Sequence, residues 1–456
     1  MYRIVLIWLL AQPIRVWSHD EDPKQLCRQP PYRGPGYRRL IDQKAGPNFP
    51  AELVQLESWL PLGDLDPAAT SGNDCWGYVA PSGREYALIG TNTGTAFVEI
   101  TQPGNAQLVQ FIAGPESSWR DIKTYSTYAY AVSEGGGGIQ IFDLRQIDNG
   151  VVTLANTVFN SVASDTHNVA INTESGFLYR CGGGPNYGLR MYSLADPLNP
   201  TFVGAWNSRY VHDAQIVTWQ EGPYAGHELA FCMAGVNSGW LLPGLSIIDV
   251  TNKAAPVQIV HYQYPFPVYS HQGWLSEDRQ YFYLNDELDE RINRVTTRTH
   301  ILDISNLAAP VEKGTFTSGS TAVDHNLYVK GSLIFEANYR SGLRIFQAFD
   351  PEMPIQIGFF DTYPDDDQDQ FNGLWSNFPY FPSGTVIGSD LERGLFVWSL
   401  GFVLCDVNGD FQVNMADYEM VRNRWPESCL CPEDLNLNRH IDVVDMILVL
   451  NNLNAP

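Results

Sequence analysis

The chain has 456 residues and carries 51 acidic against 28 basic side chains, a formal net charge of −23. That balance excludes a nucleic-acid partner, because neutralising phosphates takes a basic surface, and it suits solubility and divalent-cation binding. Hydrophobic residues at 44%, many of them Tyr, Phe and Trp, exclude a disordered chain and suit an all-β protein, while the length calls for several domains or a repeat architecture.

The first segment joins Met1-Tyr2-Arg3 to the apolar run Ile4 to Ala11 and then to Val16-Trp17-Ser18. A basic start, an apolar stretch and small residues at a cleavage point read as a signal peptide over residues 1–18. The mature protein is expected outside the cell or on its surface, with no other stretch long and apolar enough to span a membrane. Seven cysteines accompany this reading. In an exported chain some should pair. Cys181 with Cys232, Cys27 with Cys75, and Cys405 with Cys429 or Cys431 are the pairs considered. Residues 19–52, rich in Pro, Gly and Arg and without a period, read as an extended leader. Val54 to Leu60 then alternates as a single strand.

From Trp76 onward a unit of about 45–60 residues repeats. Each unit opens with a polar cluster leading into an apolar strand: Trp119-Arg120-Asp121, His167-Asn168, His212-Asp213, His271-Gln272 and His325-Asn326. A second strand follows, such as Tyr128 to Val132 or Tyr281 to Leu284. A Gly-containing turn leads to a third, such as Leu245 to Asp249. In most units a Pro then opens a fourth, as at Pro200, Pro256, Pro310 and Pro354, where a missing N–H costs an edge strand nothing. Seven four-stranded units over residues 53–401 predict an all-β, seven-bladed β-propeller rather than a sandwich or solenoid. The last unit stops at its third strand, Leu395 to Trp398, so Val54 to Leu60 is expected to close the ring as its fourth.

Gly188 to Pro200 (Gly-Leu-Arg-Met-Tyr-Ser-Leu-x-Asp-Pro-x-x-Pro) and Ile247-Ile248-Asp249-Val250-Thr251 resemble the LVIVD repeat. Ser118 to Lys123 and Ala129 to Glu134 resemble the choice-of-anchor B family of bacterial exported proteins. The resemblance spans about residues 50–400. It implies a surface or extracellular propeller on an exchangeable C-terminal anchor, and no activity.

In such a blade the start of the first strand and the end of the second share one edge of the sheet. The opening clusters should therefore gather at one channel mouth. Arg120, Asp121, His167, His212, Asp213, His271, Asp324 and His325 would stand there, framed by residues such as Glu134, Glu287 and Glu336. Several imidazoles with carboxylates behind them are the donor set of a transition-metal site. Repeated hydrogen bonding between blades explains the same pattern without a ligand. No Gly-x-Ser-x-Gly elbow, His-Glu-x-x-His helix or phosphate loop is present.

After Leu400 the composition changes. Two twelve-residue loops run from Asp406 to Asp417 and from Asp434 to Asp445. Asp406, Asn408, Asp410, Asn414 and Asp417 of the first stand at positions 1, 3, 5, 9 and 12, and Gln412 at position 7 offers its carbonyl. Asp434, Asn436, Asn438, Asp442 and Asp445 repeat the pattern, with His440 at position 7. This is EF-hand-like calcium geometry, where a hard cation takes six or more oxygens. The duplication, with Asp at position 12, resembles a type I dockerin over about residues 404–454, within a module at 402–456. It implies a cohesin-like partner on a surface or scaffold protein. Position 6 is Phe411 or Arg439 instead of Gly. Positions 10 and 11 are Met415-Ala416 and Val443-Val444 instead of the Ser/Thr pairs of cohesin binders.

Two functions follow. One is an exported propeller that binds a protein or glycan ligand and is held by the calcium module. The alternative is a metal-dependent oxidoreductase or hydrolase at a His-lined channel mouth.

Overall fold

The computed structural model describes residues 28–42, 46–159, 164–183, 187–235, 242–408, 412–428, 431, 433–436 and 440–453. The signal-peptide segment, Cys27, Cys429 and the loop residues Asp410 and Asn438 lie outside the described residues.

Seven antiparallel sheets follow one another along the chain. Their first strands are Gly72–Val79, Arg120–Tyr125, Asn168–Asn172, Asp213–Thr218, Ser270–Leu275, Asn326–Lys330 and Leu374–Phe378, taken here as blades 1 to 7. These strands stand side by side around one axis, with Leu374–Phe378 returning beside Gly72–Val79. Each blade presents apolar residues to both neighbours, and each of the seven seams holds its own buried cluster. Between blades 1 and 2 it contains Leu88, Phe97, Ile122 and Phe142. Between blades 4 and 5 it contains Phe231, Leu245, Phe282 and Leu302. Between blades 7 and 1 it contains Leu60, Ile89, Ile387 and Val397. This two-sided burial explains why the second and third strands read as nearly unbroken apolar runs, while an outer fourth strand such as Val257–Tyr262 is exposed or half-buried throughout.

The ring closes as the repeat implies. Val54–Leu60 pairs antiparallel with Gly394–Leu400, from Val54 opposite Leu400 to Leu60 opposite Leu395. The register shifts between Leu56 and Ser58. The other third–fourth strand pairs carry a shift in the same place, for example at Ile247/Ile248 and Ile301/Leu302. A bulge bends and twists a strand, and its recurrence marks Val54–Leu60 as a true fourth strand. Gly394 turns the chain beside it at φ 86°, where a Cβ would meet the Leu60 carbonyl at 2.5 Å.

The leader is more ordered than its composition suggests. Tyr37–Arg38 adds a fifth strand outside Val54–Leu60, and Ala51–Glu52 adds one outside blade 6. Both cover sheet edges that would otherwise be open to pairing. Some cysteine pairing does occur, at Cys431, but none of the pairs considered forms. Cys75, Cys181, Cys232 and Cys405 are free and buried, Cys181 and Cys232 as apolar members of one seam; Cys431 is disulfide-bonded. A buried thiol in an apolar seam packs as a small hydrophobe.

Beyond the propeller, helices Met415–Arg424 and Val443–Asn451 pack together over Val407, Val413, Val421, Ile441 and Val449.

Trp59 carries much of the closure. It is buried, stacks on Phe396 with ring centroids 5.5 Å apart, and donates Nε1–H to the Arg393 carbonyl at 2.7 Å. Trp59→Ala should cost ~3–5 kcal/mol and lower the thermal midpoint of the whole propeller. An unchanged midpoint would mean the ring does not depend on this strand.

Candidate functional site

Four of the repeated histidines gather into one ladder. The rings of His167 and His212, of His212 and His271, and of His271 and His325 have centroids 4.1, 4.2 and 4.2 Å apart. All four are buried. The spacing follows from the fold, since each ring starts the first strand of one of four consecutive blades. The next blade puts Trp375 at the equivalent place, 4.7 Å from His325.

The ladder is also a hydrogen-bonded chain. Nδ1–H of His212 donates to the His271 carbonyl at 3.0 Å, that of His271 to the His325 carbonyl at 3.1 Å, and that of His325 to the Trp375 carbonyl at 2.5 Å. His167 differs: its Nδ1 meets Glu134 Oε1 at 2.6 Å. Inter-blade bonding of this kind continues lower in the channel. Asp121 Oδ2 accepts from Val169 N–H, Gln215 Oε1 from Leu275 N–H, and Gln272 Oε1 from Leu327 N–H. Blade-tying bonds and a cluster of imidazoles thus occur together.

Glu287, at the end of the second strand of blade 5, reaches between two of the rings. Its Oε2 lies 3.6 Å from His271 Nε2 and its Oε1 3.5 Å from His325 Nε2. Tyr339 donates its hydroxyl to the same Oε1 at 2.8 Å. Among the described residues, His271, Glu287 and His325 form the one group of three or more metal-ligating side chains whose donor atoms lie within 4.8 Å of one another.

The other residues expected at this mouth are engaged with partners of their own. Arg120 is buried beside blade 1, donating to the Thr91 carbonyl, Gln140 Oε1 and the Pro115 carbonyl. Burial lowers its pKa to about 10. Asp121 and Asp213 belong to a charged layer deeper in the channel with Asp74 and Lys123, whose ammonium is 2.5 Å from Asp121 Oδ1 and 3.7 Å from Asp74 Oδ2. Burial pushes the Asp213 carboxyl up to about 7. Burial opposes the Lys123 charge, and the surrounding carboxylates more than offset it, so its pKa rises. Asp324 is fully buried and accepts from Arg298 N–H at 3.0 Å. Glu336 sits between blades 5 and 6, accepting from Thr299 Oγ1 at 2.5 Å and Asn338 Nδ2 at 3.1 Å.

The opposite mouth holds a feature that the polar repeat does not signal. A cavity of about 770 Å³ opens there, lined by Trp76, Trp274, Tyr328, Phe378 and Tyr380 with Lys123, Asn172, Asp213, Gln215 and Thr218. Trp76 packs on Phe378 at 4.9 Å and Trp274 on Tyr328 at 4.9 Å, and Lys123 Nζ stands 4.4 Å over Trp76. Reading the repeat three residues past the ladder position would have found it. His271 leads to Trp274, His325 to Tyr328, Trp375 to Phe378 and Asn73 to Trp76.

In the C-terminal segment the two loops close alike. Asp417 Oδ1 accepts from Val407 N–H and Asn408 N–H, and its Oδ2 from Asn414 N–H. Asp445 repeats this with Leu435, Asn436 and Asp442. Of the remaining calcium candidates, Asn414 and Asp442 cap their helices, His440 Nδ1 meets Ser428 Oγ at 2.8 Å, Asp434 is buried, and Asp406 and Gln412 flank the undescribed part of the first loop.

Residues 299–318, the outer half of blade 5, match the LVIVD repeat. No curated protein matches the chain. Similar solved structures include hydrazine synthase of Kuenenia stuttgartiensis, 9% identical over 72% of this chain and 94% of that one at a TM-score of 0.50. The Cps50 (Swd1) β-propeller domain of Myceliophteria thermophila is 11% identical over 69% and 92%, with a TM-score of 0.46. A protein from Lactobacillus plantarum is 12% identical over 65% and 85%, with a TM-score of 0.49. The repeat and the seven blades together make this a repeat propeller, and at these identities the likeness is one of fold alone.

Burial pushes the Glu336 carboxyl up to about 7. Between the ordinary carboxylate range and that value the unfolded chain gives up a proton that the folded one keeps, so stability falls as pH rises through the window. Glu336→Gln removes this dependence. Measured against the native protein, its thermal midpoint should gain between about pH 5 and about pH 8. Parallel midpoint–pH curves would show instead that Glu336 is ionised in the fold throughout.

Proposed function

We propose that this is an exported propeller that binds a glycan in the aromatic cavity and is held to a surface or scaffold protein by its calcium-organised C-terminal module. The observation that carries the binding reading is the cavity itself. Its volume suits a small ligand. Half-buried Trp76, Trp274 and Tyr380 offer flat apolar faces, and Asn172, Gln215 and Thr218 offer hydrogen-bonding groups beside them. A sugar ring presents the same alternation of apolar C–H face and hydroxyl edge.

Two observations support the tether. The position-12 carboxylates Asp417 and Asp445 accept backbone N–H groups in the same pattern in both loops, which supports a duplicated module. The second helix exposes Val443, Ile447 and Leu450 at 57%, 46% and 44% on one side, and residues three and four apart share a helix face. With Val444 also exposed, this apolar stripe includes the loop's positions 10 and 11, so the cohesin-like partner would meet an apolar face rather than hydroxyls. Export rests on the signal-like N-terminus, and no helix among the described residues is long and apolar enough to cross a membrane.

The metal-dependent enzyme remains a second reading, favoured by the buried His271–Glu287–His325 group.

Oligosaccharides screened by tryptophan fluorescence should give saturable quenching, with Trp274→Ala weakening affinity ~10-fold, about 1.4 kcal/mol. An affinity untouched by Trp274→Ala and Trp76→Ala would place any glycan site elsewhere. In calorimetry of the full chain, calcium should raise, and a chelator lower, a transition that Asp445→Ala abolishes. Identical traces with calcium and chelator would remove the calcium module.

A further inference from the structure

The ladder's hydrogen bonds decide where its protons sit. A main-chain carbonyl can only accept, so the rings of His271 and His325, each bonded to one through Nδ1, carry their proton on Nδ1. When such a ring is neutral, its Nε2 is the lone pair through which imidazole binds a metal. Both Nε2 atoms face one carboxylate: Glu287 lies 3.6 Å from the first and 3.5 Å from the second. The two contacts run to the two different oxygens of that carboxylate, and each is near the ~3.3–3.6 Å that bonds of ~2.0–2.2 Å in a tetrahedral arrangement set between ligand atoms. One donor atom from each of the three side chains lies within 4.8 Å of the other two.

The three side chains are 1–3% exposed, so a cation held between one carboxylate and two imidazoles would be bound out of water, where its attraction to the carboxylate is strongest. The supports are those of a positioned ligand set. Carbonyls orient both imidazoles, and the Tyr339 hydroxyl holds Glu287 Oε1 at 2.8 Å. Asp286, the residue before Glu287, accepts from the Tyr264 hydroxyl and from Val268 and Tyr269 N–H at 2.6–2.7 Å, which fixes the backbone that carries it.

We infer that His271, Glu287 and His325 bind one divalent first-row transition-metal ion of the zinc, iron(II) or manganese class. Two nitrogens and one carboxylate select against calcium, which takes oxygen alone. Three protein donors leave a four-coordinate ion one position for a small ligand. His212 and His167 extend the ladder away from this group, so the centre has two histidines, not four. The inference is independent of the glycan cavity, which opens at the other end of the channel.

The test is a Co(II) and Zn(II) titration of the full chain, kept in saturating calcium so that the C-terminal loops are occupied, with metal content measured on protein purified without chelator. One equivalent per chain is expected, with a Co(II) visible spectrum characteristic of a nitrogen–oxygen site. His271→Ala and Glu287→Gln should each weaken binding by more than ~100-fold, and Tyr339→Phe, a positioning change, by ~10-fold. His227→Ala, at a half-exposed ring paired with Asp249, should change nothing. Thermal midpoints report whether each variant is folded. Absence of stoichiometric binding to the native protein overturns the inference whatever the variants do, and so does binding that survives both His271→Ala and Glu287→Gln.

Discussion

The pairing of Val54–Leu60 with Gly394–Leu400 is the contact on which the rest depends. A blade cannot bury its own two faces; it needs a neighbour on each side. Seven seams are satisfied only if the last blade meets the first, and blade 7 is complete only when it takes its fourth strand from the N-terminal end of the chain. The same contact fixes the channel. With the ring closed, every first strand points along one axis, and residues at one repeat position are brought to one level.

Two levels result. At one, His167, His212, His271 and His325 stand ring beside ring, the last three bonded through Nδ1 to carbonyls of the next blade and the first to Glu134. At the other, Trp76, Trp274, Tyr328 and Phe378 line an open cavity. A layer of Asp74, Asp121, Lys123 and Asp213 occupies the channel's interior, its negative charge partly met by one lysine. A single repeat therefore carries structural bonding, a candidate metal centre and a candidate ligand cavity. Two ends of the same short strand face different environments.

The fold was largely legible before any coordinate. The four-strand order, the prolines opening outer strands and the orphan strand at Val54 all survive in three dimensions, because they reflect local rules of turn chemistry and alternation. The sites were legible only in part. Arg120 and Asp121 occupy the expected repeat position, yet one side chain enters a seam and the other turns into the channel. The pairing of Cys181 with Cys232 looked geometrically open, yet both pack as free thiols in a seam. Side-chain direction at a repeat position depends on which neighbour offers space and partners, and no period encodes that.

By itself, the sequence determined the number of blades, the closing strand, the crowding of histidines into consecutive blades and the duplicated loops. Each is a matter of residue type and spacing along one chain. Only the tertiary structure decided that Glu287 reaches between His271 and His325, and that aromatic residues of blades 1, 5, 6 and 7 meet around one cavity. Glu287 lies 16 residues from one of its histidines and 38 from the other. Such distances carry no signal until ring closure brings the ends of separate strands within bonding reach.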